Sequence, residues 1–419
     1  MPSIAQLAPN EVRKEVTMSR VFSLLTALIM TIGTALPLAA EDKVDWNTVL
    51  AEAEGQTVYF NAWGGDEAIN GYIAWVGDQV SERFGVTLKH VKLADTAEAV
   101  TRVLAEKTAG RNEGGSVDLI WINGENFASM KRQDLLFGPF VQDLPNFAHV
   151  DVEGKPTTIL DFTVPTDGFE APWGMAQFVF FHDTASVSEP PRSIQDLLDW
   201  AKANPGRFTH PSPPDFVGST FLKHIMYAFI EDPDILQHPI EGADFETATG
   251  PLWAALEDVR PSLWRQGKTY PANAPGLHQL LDDGEVDFSM AFNPAEASAA
   301  INAGNLPDTV QTFIPEAGSI GNTHFVAIPF NAAHQAGAMV VADFMMSPEA
   351  QAKKQDPSGW GDWTVLDLGK LDDRDRARFD DLPLGIATLS PAELTPVLPE
   401  PHPSWMTRIE AEWLRRFSS

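Results

Sequence analysis

The sequence predicts an α/β protein of two lobes, and three observations carry the prediction. Short apolar strands alternate with amphipathic helices from Glu52 onward, the form of a largely parallel sheet covered on both faces. The chain has 419 residues, which at about 100 to 200 residues per domain is enough for two or three units with cores of their own. Two apolar stretches, residues 175–181 and 284–294, read as strands that leave one unit for the other.

Residues 58–62 form the first predicted strand. A helix follows over 66–84, with Ile69, Ile73, Val76, Val80 and Phe84 on one face and Gly85 as its stop. Residues 86–91 are the second strand. The next helix starts near Thr96, turns Val100, Val103 and Leu104 inward and ends at Gly110; residues 117–122 are the third strand. Ser193 caps a helix carrying Ile194, Leu197, Leu198 and Ala201, and Pro211, Pro213 and Pro214 stiffen a loop after it. Leu252, Leu256, Val259 and Leu263 mark a helix bent by Pro261, and residues 277–281 a short one. Residues 323–329 are a strand, 336–346 a helix, and Ser347 with Pro348 opens another. Residues 372–381 read as a charged linker, 391–403 as an extended proline-rich segment, and a last helix shows Trp405, Ile409, Trp413 and Phe417. With the two crossings as boundaries, one lobe holds residues 41–173 and 294–330 and the other 174–293 and 331–419.

Residues 1–40 have the order of an export signal. Arg13, Lys14 and Arg20 precede an apolar stretch over 21–38, which ends in Leu38-Ala39-Ala40 before a polar run. Cleavage is expected near Ala40, with Met18 an alternative start, and a periplasmic protein follows. There is no cysteine for a lipid anchor, a disulfide or a thiolate metal site. The net charge of -29 repels phosphate backbones, so nucleic acid is excluded as a partner.

The ten histidines fall in no metal-ligand spacing, and neither a nucleophile elbow nor a phosphate-binding loop nor a dinucleotide fingerprint is present. No cofactor, metal or catalytic residue is therefore expected. The chemistry is left to loops after strands, where an open α/β sheet exposes backbone donors and side chains. Trp63-Gly64-Gly65-Asp66 offers a close backbone approach at a helix N-terminus, and Asn123-Gly124-Glu125-Asn126 offers polar side chains around a glycine. Trp173 is a candidate aromatic wall. Ser212, Asp215 and Ser219 sit on the proline-stiffened loop, Asn293 follows its strand, and Trp360 belongs to a Trp-Gly-Asp-Trp run. His324 reads as a buried, satisfied histidine.

Taken in order, Asn61 to Gly65, Val117 to Asn126, Leu135 to Phe140, Ala171 to Gly174, Gly284 to Asp287 and Ala336 to Ala352 resemble the extracellular solute-binding proteins of ABC transporters, in the group that includes polyamine, thiamine and ferric-iron receptors. The resemblance implies the type II periplasmic-binding-protein fold, two α/β lobes joined by crossing strands. It implies capture of a small solute between them, a permease and ATPase as partners, and no bond broken. A monomer is expected. The half-site loops would be those around Trp63 and Asn123 in one lobe and residues 209–220 in the other, with Asn293 and Trp360 toward the hinge. The four tyrosines are isolated, which argues against a phenolate iron site. A polyamine-like or thiamine-like cation fits the tryptophans and the carboxylates Asp66, Glu125, Asp215 and Asp362. A small anion at the Gly64-Gly65 helix N-terminus, or an enzyme on the same fold, is the alternative.

Overall fold

The computed structural model describes residues 44–418. The export signal expected at residues 1–40 lies outside them. A first helix, α1 (Trp46–Ala53), leads into the alternation of β1 (Thr57–Trp63), α2 (Glu67–Phe84), β2 (Thr87–Leu93), α3 (Ala97–Thr108), β3 (Leu119–Ile122) and α4 (Gly124–Arg132). The local reasons are those the pattern predicts. Asp66 caps α2 by accepting from the Ile69 N–H at 2.9 Å, and Gly85 ends it in the left-handed conformation at φ 66°. β1 runs parallel to both β2 and β3, as right-handed strand–helix–strand units require.

A small hairpin of β4 (Leu160–Asp161) and β5 (Val164–Pro165) precedes the first crossing. There β6 (Glu170–Gln177) belongs to the first sheet and β7 (Val179–Asp183), one residue later, to a second. The second unit contains α5 (Ile194–Ala203), α6 (Phe216–Phe229), α7 (Phe245–Val259), α8 (Ala274–Asp282), β8 (Phe288–Ala291), α9 (Glu296–Asn302) and β9 (Val310–Phe313). Its sheet has the order β8-β7-β9. The chain then re-enters the first sheet as β10 (Ser319–Ala327), antiparallel to β3 and β6. α10 (Gln335–Met345), α11 (Pro348–Gln355), α12 (Asp373–Asp380), β11 (Val397–Leu398) and α13 (Pro403–Phe417) complete the fold.

Packing redraws the expected boundaries. The apolar residues of 178–313 share one core with 387–417, whereas 49–173 and 325–379 fill the two faces of the first sheet. The return crossing is therefore at residues 314–318 and not at Asn293, because Ala297 on α9 and Val310 on β9 pack in the second core. Residues 331–419 do not all belong to the second lobe. α10, with nine buried residues, lies on α1 and α2, and only the C-terminal segment through α13 returns. Residues 372–381, read as a linker, form α12: Asp372 caps it through the Asp375 N–H at 2.9 Å, and Phe379 is its buried contact. Among the described residues, no helix is long and apolar enough to cross a membrane.

Candidate functional site

Between the two cores lies a cleft of about 810 Å³. Its first wall is made where the parallel strands of the first sheet end. Trp63 closes β1, Lys92 stands near the end of β2, and Trp121 is on β3. Gly64 and Gly65 follow Trp63, and packing alone dictates both. A Cβ on residue 64 would lie 2.6 Å from Lys92 Cβ, and one on residue 65 would collide with the Trp63 ring. Asn123 takes extended backbone before α4 and makes no capping bond, so its amide lines the cleft instead of closing the helix end. Glu125 and Asn126 are in the first turn of α4, joined by a 3.0 Å bond from Asn126 Nδ2 to Glu125 Oε1.

The second wall starts with Ser212 and Asp215. Asp215 caps α6 by accepting from the Gly218 N–H at 3.0 Å. His278 on α8, Asn293 after β8 and Glu296 at the start of α9 continue it, and Glu410 enters from α13. Asn293 is held from both ends, donating to the Trp360 carbonyl at 2.7 Å and accepting from the Ala295 N–H at 3.0 Å. The base carries Trp360, Asp362 and His324.

Eleven of the thirteen residues that the sequence proposes line this space; Trp173 and Ser219 do not. Trp173 is completely buried, stacked on Tyr72 and edge-on to Trp121, with ring centroids 6.1 and 5.0 Å apart. It supports the wall from behind because β6 is covered on both faces. Trp173→Phe is therefore expected to cost about 1–3 kcal/mol in stability while shifting solute affinity little, which urea unfolding and a ligand titration on one preparation would measure. Ser219 lies in α6, since the loop stops at the Asp215 cap, and its hydroxyl donates to Glu410 Oε1 at 2.6 Å. It positions a lining group without reaching the cleft. His324 is not enclosed as expected but faces the cleft along part of its ring.

Sequence reading missed Lys92, Asp95, Trp121, His278, Glu296 and Glu410 as lining residues. Three of these are acidic, and with Asp66, Glu125, Asp215 and Asp362 they place seven carboxylates around the cleft against one lysine. Burial raises the carboxylates that the second wall and α4 contribute. Glu125 is pushed up to about 7 by burial and then by Glu410 across the cleft. Glu410 also reaches about 7 through burial, with Asp95 and Asp215 adding to it against the Ser219 hydrogen bond. Glu296 is raised to about 8 by burial and by Asp66 in the facing lobe, and Asp215 to about 6 by burial against the backbone donors of α6. His278 is pulled down to about 4 by burial, so it adds no positive charge at neutral pH. Such a wall binds protons for want of cations. Among the described residues, no group of three or more His, Asp or Glu is arranged to hold a metal ion.

Comparison with known proteins agrees with this two-lobed arrangement. Residues 75–367 match a family described as bacterial extracellular solute-binding protein. Protein YnjB of Escherichia coli strain K12 is 44% identical over 375 residues, covering 90% of this chain and 94% of its own. Among solved structures, the periplasmic binding protein AfuA from Actinobacillus pleuropneumoniae, with fructose-6-phosphate bound, superposes with a TM-score of 0.60 at 11% identity over 87% of this chain and 99% of its own. Iron-bound HitA from Pseudomonas aeruginosa gives 0.59 at 15% identity, over 87% and 99%. These likenesses show the type II periplasmic-binding-protein fold.

Proposed function

We propose, since this chain belongs to the bacterial extracellular solute-binding proteins, that its cleft captures a small organic cation for an ABC importer. Membership of the family carries the coarser statement, a receptor that holds a small molecule and hands it to a permease. The charge of the cleft supports the finer one: apart from Asp362, which is paired with the buried Lys354, six carboxylates line it against a single lysine. Asp66, Asp95 and Glu125 come from the first lobe and Asp215, Glu296 and Glu410 from the second. A cation between them interacts favourably with both walls only when the lobes are together, and that difference in affinity is what favours closure. Trp63, Trp121 and Trp360 offer aromatic faces to the same ligand.

The reading of an anion at the Gly64-Gly65 turn is opposed by the cap itself. The Asp66 carboxylate already occupies the N-terminus of α2, where it accepts from the Ile69 N–H, and an anion there would meet a negative charge. Asp215 caps α6 in the same way, and Glu125 and Glu296 place further carboxyls in the first turns of α4 and α9.

The test follows tryptophan fluorescence and melting temperature while polyamines, thiamine, guanidino compounds, sugar phosphates and neutral sugars are titrated in turn. A cation is expected to bind saturably and, at one hundred times its Kd, to add about 2.7 kcal/mol of stability, with affinity that weakens as salt is raised. Preferential binding of a sugar phosphate or a neutral sugar would overturn the proposal, as would steady conversion of any compound.

A further inference from the structure

The base of the cleft contains three linked ionisable groups, only one of which the solute can reach. Lys354 and Asp362 are completely buried. Lys354 Nζ donates to Asp362 Oδ2 at 2.5 Å and to the Trp363 carbonyl at 2.9 Å. The other oxygen, Asp362 Oδ1, is 3.0 Å from His324 Nε2. His324 keeps 13% of its side chain exposed and lines the cleft. Its ring stacks on Trp360 at 5.9 Å and stands edge-on to Trp121 at 5.1 Å, which fixes the imidazole plane.

Gly174 keeps this arrangement together. A Cβ at that position would overlap Asp362 Oδ2, lie 2.6 Å from Lys354 Nζ and 2.9 Å from His324 Cδ2. The Cδ2–Nε2 edge of the imidazole is thus turned to Gly174 and Asp362, and Nδ1 is on the opposite edge, without a protein partner among the described residues. An ionised carboxylate only accepts, so Nε2 carries the proton. Lys354 already balances the charge of Asp362, and a second cation in the knot would have no counter-ion of its own. Nδ1 is left with a lone pair.

We propose that His324 is a specificity-determining residue whose Nδ1 accepts a hydrogen bond from an N–H of the bound solute, so that the cleft takes cations bearing N–H groups in preference to fully alkylated ones. This rests on the reading of the solute as an organic cation. Carboxylates and aromatic faces attract a trialkylammonium as well as an amine, because both interactions answer to charge. An acceptor that the bound ligand covers discriminates, since a ligand without a donor shuts its lone pair off from water and leaves it unpaired. Asp362 and Lys354 act as positioning residues, setting the tautomer through the same contact.

Two matched pairs test it on the purified chain: 1,4-diaminobutane against its bis-trimethylammonium counterpart, and benzylamine against benzyltrimethylammonium, each followed by tryptophan fluorescence. In the wild type at least one pair is expected to bind with the N–H member tenfold or more tighter. His324→Phe, which keeps an aromatic ring on Trp360, is expected to weaken that member alone and bring the ratio near one. His324→Gln, whose amide donates to Asp362 and presents an oxygen, is expected to restore preference; circular dichroism establishes that each variant is folded. Binding without discrimination in the wild type, or discrimination unchanged in His324→Phe, overturns the inference and leaves the cation reading standing. If no member of either pair binds and a sugar phosphate from the earlier titration does, the cation reading falls and the inference with it.

Discussion

Lys354→Met is expected to lower the free energy of unfolding by about 3–5 kcal/mol, the cost of leaving a buried carboxylate without its partner. The side chain is fully enclosed, and its ammonium holds Asp362 and the Trp363 carbonyl together. Burial lowers the Lys354 pKa, and Asp362 is the one neighbour that opposes the shift. Methionine replaces the stem but not the charge. Asp362 would then be a buried carboxylate whose one remaining side-chain partner is His324, and the base of the cleft loses its support. Lys354→Met with Asp362→Leu should recover much of the loss, because an apolar pair of similar volume avoids the desolvation of both ions. Lys202, in exposed contact with Asp199 and Asp258, is the control, and Lys202→Met should leave stability nearly unchanged. Urea unfolding followed by circular dichroism measures all three. A loss at Lys354 no larger than at Lys202 would refute the account.

The two walls were legible in the sequence to different degrees, for a physical reason. Trp63, Asn123 and Asn293 follow strands whose apolar runs are visible, and a strand end in an open sheet is where a ligand meets the chain. Trp360 belongs to a run that tryptophan makes conspicuous. Glu410 left no such trace. The pattern of α13 shows its apolar face, Trp405, Ile409, Trp413 and Phe417, all buried, but not which neighbour will stand opposite its polar face. Glu296 was hidden by the misplaced crossing, which assigned α9 to the wrong lobe. α6 escaped prediction because it is buried almost all round, Val217 to Met226. A helix covered on every side has no amphipathic period to read. Trp173 carried the opposite error: an aromatic residue in a strand between glycine and proline looks available, and only the covering helices make it core.

The ligand-free protein is expected to lose stability as pH rises from about 6.5 to 8.5, the reverse of what surface ion pairs would give. In the unfolded chain, glutamate and aspartate titrate near 4. In the fold Glu125 and Glu410 titrate at about 7 and Glu296 at about 8, so the native state holds protons that the unfolded state has already released. Stability that is complete below the unfolded values is lost as pH climbs through the folded ones. At lower pH the effect is masked. His210, His224 and His278 are pulled down to about 4 by burial, and their contribution is lost as pH falls below 6.5, which offsets the carboxylates there. Above 6.5 the histidines are neutral in both states and the carboxylates act alone. At about 1.4 kcal/mol per unit, reduced by water in the cleft, the three together should cost about 2–3 kcal/mol across the window. Glu296→Gln should remove most of the fall above pH 7, since that residue is raised further than Glu125 and Glu410. A bound cation should invert the trend: it favours the ionised carboxylates, so its affinity rises with pH and its binding releases protons, which calorimetry in buffers of different ionisation enthalpy detects. A melting temperature that climbs between pH 6.5 and 8.5 without ligand, or a slope that Glu296→Gln leaves unchanged, would show that these carboxylates do not face one another across the cleft as their burial implies.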